Sequence, residues 1–223
     1  MSDLHAKAET IYQRLLDHLG LPAWSEPQPP LDELVSTILS QNTNDRNRDQ
    51  AFHSLRARFP TWEAVRDADP AAVIEAVRIA GLANQKGPRI QAVLHQITAE
   101  RGELDLAFLK DWPPEEAHAW LTRFKGVGPK TAAIVLVFSL GMPAFPVDTH
   151  VHRVSGRLGL RPPAMNAEQS HPHLAGLFRP ETYGPAHLNL IRLGREICHA
   201  RKPDCPHCPL TDLCDDYQQR QQA

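Results

Sequence analysis

Apolar positions recur along this chain at steps of three and four residues, the period of a helix with one buried face. Leu4, Ala8, Ile11, Leu15 and Leu19 form a first stripe that starts near Asp3 and stops at Gly20. Leu31, Leu34, Val35, Ile38 and Leu39 form a second. Phe52, Leu55 and Phe59 form a third, ended by Pro60. Between the first two, the Pro-rich run from Pro22 to Pro30 reads as a linker. Asp69-Pro70 has the form of an N-cap followed by Pro at the first helical position, and predicts a helix ending near Gly81. Ile90, Val93, Leu94 and Ile97 predict another, stopped near Gly102. Pro113-Pro114 opens a helix to Phe124, and further helices are expected over 129–140, 149–158, 170–178 and 186–198. No alternating strand pattern of useful length occurs, and most of the 20 prolines fall at helix boundaries. The expected class is all-α.

A length of 223 residues allows one large domain or two small ones. The N-terminus Met-Ser-Asp-Leu-His lacks the basic and apolar regions of a signal peptide. The longest apolar stretch, around Ala132 to Leu140, is far too short to cross a bilayer. An intracellular, cytoplasmic protein is expected, with no membrane partner. Net charge is only −2, but it is unevenly spread. From Ala117 to Pro203 there are eleven basic and four acidic residues, whereas residues 1–116 are net acidic. Such polarity can present a positive face to phosphate, although on charge alone solvated helix faces are the better account.

All four cysteines crowd one end: Cys198, Cys205, Cys208 and Cys214, spaced C-x6-C-x2-C-x5-C. In an intracellular chain that crowding favours a metal site over disulfides. Spacing alone leaves structural zinc and a cubane iron–sulfur cluster both open. His199 and His207 lie inside this stretch and read as exposed loop residues. Arg201 and Lys202 sit in the long first gap, where a tethered loop can offer two cations to phosphate.

The run Leu121 to Ala133 reads as helix, glycine turn, helix. Gly126 and Gly128 permit a tight turn with positive φ, and Gly126-Val127-Gly128 can bring backbone N–H groups close to a phosphate. An ordinary glycine-linked helix pair fits the same residues. A P-loop does not, because Pro129 separates Gly128 from Lys130 and Arg123 stands where a glycine is needed. Lys130 then falls in the first turn of a helix, where the positive helix end favours a neutral amine that can act as a nucleophile. Asp148 precedes the apolar-periodic Val151, Val154 and Leu158 and reads as an N-cap. A capping carboxylate can also assist an amine and stabilise developing positive charge.

Taken together, Gly126-Val127-Gly128-Pro129-Lys130-Thr131-Ala132, Val147-Asp148-Thr149-His150 and the cysteine spacing resemble the endonuclease III family of helix-hairpin-helix DNA glycosylase/AP lyases. The resemblance implies a two-domain fold with a DNA cleft between the parts. A six-helix barrel would span 23–142 and include the helix-hairpin-helix at 121–141. Residues 1–22 with 143–223 would form the cluster domain. It implies a [4Fe–4S] cluster on the four cysteines, Lys130 as Schiff-base lysine and Asp148 as catalytic aspartate. It also implies binding of damaged double-stranded DNA by a monomer, with flipping of the base and excision of oxidised pyrimidines such as thymine glycol. The hairpin, Lys125, Arg153, Arg201 and Lys202 are the expected DNA contacts. Leu82 matches one residue that wedges into the duplex, and either Gln41 or Asn42 the other. Three features depart from the family pattern: Asn42 replaces the usual wedge Gln, Lys125 and Pro129 replace a Pro and an Arg, and the stretch Arg101 to Glu116 is long. A monofunctional mismatch glycosylase and a non-catalytic damage-binding iron–sulfur protein are the alternatives, and both leave Lys130 unexplained.

Overall fold

The computed structural model describes residues 2–23 and 27–222, so positions 24–26 of the expected linker lie outside the described residues. Twelve α-helices are present among them, and no β-strand. They are α1 (Ser2–Leu19), α2 (Pro30–Ser40), α3 (Asp45–Arg58), α4 (Trp62–Asp67), α5 (Pro70–Ala76) and α6 (Ala83–Arg101). Then follow α7 (Pro114–Thr122), α8 (Pro129–Ile134), α9 (Thr149–Arg157), α10 (Ala167–Ala175), α11 (Tyr183–Glu196) and α12 (Asp215–Gln222). Contacts divide the chain into two compact units, Pro27–Met142 and Met1–Glu26 with Pro143–Ala223.

In Pro27–Met142, α2 is a central element. Its stripe Leu31, Leu34, Val35, Ile38 and Leu39 is at most 4% exposed and faces α3, α6 and α8. Each such side chain contributes roughly 1.5–3 kcal/mol on burial. α6 packs on α4 and α5, and its buried Gln91 donates to the carbonyls of Val65 and Ala68 where α4 ends. Gly102 closes α6 in the left-handed conformation (φ 80°), which explains the stop at that glycine. Phe108, Trp112, Trp120 and Phe124 form an edge-to-face cluster that folds the long stretch after α6 back onto α7.

In the other unit, α11 packs against α9 and α1, while α10 and α12 lean on α9. Ala8, Ile11, Tyr12 and Leu15 of α1 are buried, as the stripe requires.

Three elements go beyond the apolar pattern. α4 is too short for periodicity to register, though Thr61 caps it by accepting from Ala64 N–H. A 3-10 turn over Ala107–Asp111 starts from the Asp105 carboxylate, which accepts from Leu106 and Ala107 N–H. The Gln-rich tail forms α12. Four expected helices shift: the one placed at 186–198 runs over Tyr183–Glu196, and the one expected to end near Gly81 stops at Ala76, followed by a 3-10 turn over Arg78–Ala80. The one placed at 170–178 runs from Ala167, because Asn166 and Gln169 form a reciprocal capping box. The one placed at 129–140 is α-helical only to Ile134 and widens into a π-turn over Val135–Ser139.

Candidate functional site

The turn between α7 and α8 is built from one glycine conformation and one buried side chain. Gly126 has φ 91°, whereas Gly128 has φ −93°, so only the first of the two glycines needs the left-handed region. Val127 is buried and its N–H donates to the Phe124 carbonyl at 2.9 Å, so it shapes the turn and offers no amide outward. A Cβ added at Gly126 would collide with the Arg89 side chain from α6. Arg89 in turn donates to Gln41 Oε1 at 2.8 Å, and Gln41 Nε2 donates to the Gly126 carbonyl at 3.1 Å. The hairpin is thus braced by the loop that follows α2. Lys125 is exposed at the tip of this turn.

Pro129 occupies the first position of α8, which puts Lys130 second, half-buried at the helix start. α8 packs on α2, and Glu33 of α2 feels the Lys130 charge. Burial pushes the Glu33 carboxyl above its ordinary value. The Thr37 hydroxyl, donating at 3.2 Å, and the cations Arg48 and Lys130 pull it back. Glu33, on the helix that packs against α8, is an acid that no motif signalled.

In the unit containing Pro143–Ala223, Asp148 caps α9, its Oδ1 accepting from Val151 N–H at 2.7 Å. Among the described residues its Oδ2 takes no hydrogen bond. The chain leading to it is clamped. Phe145 is buried against Phe178 and Tyr183, and the Phe145 and Pro146 carbonyls accept from ring nitrogens of His171 (3.0 Å) and His187 (2.9 Å). Buried His171 and His187 therefore position Asp148, a role invisible in the sequence because their partners are backbone atoms. Arg153 points inward from α9, donating to the carbonyls of Gly194 and Cys198. Its guanidinium is thus occupied within this unit, contrary to its expected place among outward phosphate contacts. Arg201 and Lys202 are exposed in the loop before Cys205, Lys202 with φ 50°.

Cys198, Cys205, Cys208 and Cys214 are unpaired thiols that all line one pocket, walled by α9, α11 and α12 through Val154, Leu158, Leu193, Ile197 and Tyr217. Arg157 Nη1 lies 3.3 Å from Cys198 Sγ and Arg220 Nη2 3.4 Å from Cys205 Sγ. Burial, then the neighbouring thiols, push the Cys208 thiol up to about 11. Four sulfurs gathered this way become thiolates only with a strong positive centre among them. Yet no three His, Cys, Asp or Glu side chains among the described residues gather as a single-ion site. A lone zinc ion draws its sulfurs to about 2.3 Å from one point, whereas a cubane spreads them over its corners. The pocket gathers all four cysteines, and the Arg157 and Arg220 guanidinium donors suit the sulfur charge of a cluster held there. His207 stays outside, exposed and bonded to Asp204.

Residues 35–180 match the model of the HhH-GPD superfamily of base excision DNA repair proteins, and residues 198–214 match the iron–sulfur binding domain of endonuclease III. Endonuclease III of Thermotoga maritima is 32% identical over 194 residues, 86% of this chain and 85% of that one. The chain belongs to the endonuclease III family. A protein of Arabidopsis thaliana that bears the name putative DNA glycosylase is 41% identical over 150 residues; the match takes in 67% of this chain and about half, 51%, of that protein. A solved structure of a trapped endonuclease III–DNA covalent intermediate superposes with a TM-score of 0.82 at 25% identity, over 97% of this chain and 98% of that one.

As a member of the endonuclease III family, the chain is a base excision repair enzyme of the DNA glycosylase class, and it carries a [4Fe–4S] cluster. Cys198, Cys205, Cys208 and Cys214 are the residues that would hold that cluster. Cys208→Ala is expected to yield protein with sub-stoichiometric iron and weak visible iron–sulfur absorption. It should lose on the order of several kcal/mol of stability, confined to the unit that contains α9, α11 and α12. Hydrogen exchange would locate the loss; full iron content with native protection in α11 would contradict it. The residues expected from the sequence to enter a duplex lie on two turns within Pro27–Met142. Asn42 (φ 53°) and Leu82 (φ 49°) are both exposed and left-handed, while Gln41 is half-buried in the Arg89–Gly126 brace. Of the neighbours Gln41 and Asn42, only Asn42 has an exposed side chain.

Proposed function

We propose that this enzyme is a bifunctional DNA glycosylase/AP lyase that removes oxidised pyrimidines of the thymine glycol type from double-stranded DNA. The observation that carries the reading is Lys130, an amine at the second position of the helix that follows the glycine turn. Neither a monofunctional glycosylase nor a passive damage binder needs an amine there. Pro27–Met142 would supply the hairpin, the wedge turns and the nucleophile. The cluster-bearing unit would supply Asp148, with Arg201 and Lys202 set toward phosphate.

In this reading the protein grips the backbone with the hairpin, Lys125 and the cationic loop, and flips the damaged nucleotide. The Lys130 nitrogen forms a bond to C1′ as the bond from C1′ to the base breaks, and the base departs with a proton. The Asp148 carboxylate stabilises the positive charge that develops on the sugar. The adduct opens to an imine between Lys130 and C1′, which acidifies the C2′ proton. Loss of that proton expels the 3′ phosphate by β-elimination and cuts the strand, and water later frees Lys130.

Borohydride trapping on a duplex with one thymine glycol, against a duplex with one abasic site, tests this. A covalent protein–DNA adduct on both is expected. An adduct on the abasic duplex alone would leave a lyase with a different target base. No adduct on either, with binding intact, would replace the proposal with a monofunctional glycosylase or a non-catalytic binder.

A further inference from the structure

Lys86 is the one lysine described as buried, 1% exposed inside α6. A lysine so placed usually faces a carboxylate. This one instead donates to two backbone carbonyls, Leu39 and Ala80, at 2.8 Å each. Both are carbonyls at helix C-terminal ends, Leu39 in the last turn of α2 and Ala80 at the end of the 3-10 turn Arg78–Ala80. Helix ends leave such carbonyls without helical partners, and they carry partial negative charge, so an ammonium between two of them satisfies both at once. Burial holds the ammonium below the ordinary lysine value, and the Arg89 charge adds to this.

What those two helix ends lead into gives the contact its meaning. Leu39 is followed by Ser40-Gln41-Asn42, and Ala80 by Gly81-Leu82. Asn42 and Leu82 are exposed and left-handed, a conformation that asparagine tolerates but that a leucine keeps only where the surroundings enforce it. Leu82 is 48% exposed and its neighbour Ile79 47%, an apolar tip without cover in this unit. One turn further along α6, Arg89 fixes Gln41 and through it the hairpin carbonyl of Gly126. A single face of α6 thus carries two cations that register three surface turns.

We propose that Lys86 is a positioning residue that locks the turns bearing Asn42 and Leu82 at a fixed separation, so that both enter the duplex around one nucleotide. The proposal rests on the glycosylase reading above. Lys86 touches no reacting atom, so its loss impairs flipping of a paired nucleotide and spares chemistry on a sugar that needs no flipping.

The test compares borohydride trapping on two probes, a duplex with one thymine glycol and a single-stranded oligonucleotide with one abasic site. Wild-type protein is expected to react with both; if it reacts with neither, the glycosylase reading fails whatever Lys86 does. Lys86→Met, checked for native helicity, is expected to lose on the order of 10- to 100-fold on the duplex. On the single strand it stays within about threefold of wild type. Equal losses on the two probes, or no loss on either, overturn the proposal. If Lys86→Met does not fold, Lys86→Arg keeps the cation while its wider head spreads the two carbonyls. It is expected to show the same split at roughly threefold or more, and a wild-type ratio in that variant overturns the proposal equally.

Discussion

Lys130→Gln is expected to eliminate the borohydride-trapped adduct and to slow single-turnover strand cleavage by on the order of 10³-fold, about 4 kcal/mol of transition-state stabilisation. Gln keeps most of the side chain's volume and its hydrogen-bonding capacity but cannot form an imine. The side chain is half-buried at the second position of α8, so the substitution leaves no large cavity. Stability should change by roughly 0.5 kcal/mol at most, which separates chemistry from folding. The same substitution at exposed Lys125 serves as the contrast. Losing a phosphate contact weakens binding to all duplexes alike and lowers the salt slope by about one, with the adduct still formed. An adduct that survives in Lys130→Gln would mean that another amine is the nucleophile, and the assignment would fall.

Much of this site could be read from the chain alone, for identifiable reasons. The glycine turn, Pro129 and Lys130 are contiguous, so their geometry follows from local rules: a glycine where φ is positive, a proline at the first helical position, the lysine next. Asp148 was legible as a cap for the same reason. The four cysteines are legible as a metal set because spacing limits what they can do, but zinc against a cubane is decided by the family, whose iron–sulfur domain matches residues 198–214. What stayed hidden depends on partners distant in sequence. Gln41 and Asn42 are adjacent and chemically alike; only the bond from Gln41 to Gly126, 85 residues on, separates the brace from the exposed residue. Arg153 reads as a cation for phosphate, but its guanidinium donates to carbonyls 41 and 45 residues away. Lys86 sits in a polar-looking run, Asn84-Gln85-Lys86, and nothing local marks it as buried. His171 and His187 bond to backbone carbonyls, which leave no sequence signature. Helices as short as α4 offer periodicity too few turns to register, and the start of α10 is set by a capping box that lies before its apolar face.

Asp148→Asn tests whether the carboxylate does more than cap α9. Asn is as good a cap as Asp, since its side-chain oxygen can still accept from Val151 N–H, the bond now 2.7 Å long. The lost charge at the helix start costs about 0.3–1 kcal/mol, so the variant folds with a small drop in Tm. Its glycosylase rate on thymine glycol is nevertheless expected to fall about 10²–10⁴-fold, because an amide neither takes a proton nor opposes positive charge at C1′. Asp148→Ala removes the cap as well and should lose about 1 kcal/mol further in stability with no additional loss of rate. The pair therefore separates two roles of one side chain. Rates that track stability across Asn and Ala would make Asp148 a structural cap only. Equal, large rate losses with unequal stabilities would place its carboxylate in the chemistry, where the Oδ2 left unbonded by the cap is the oxygen to do it.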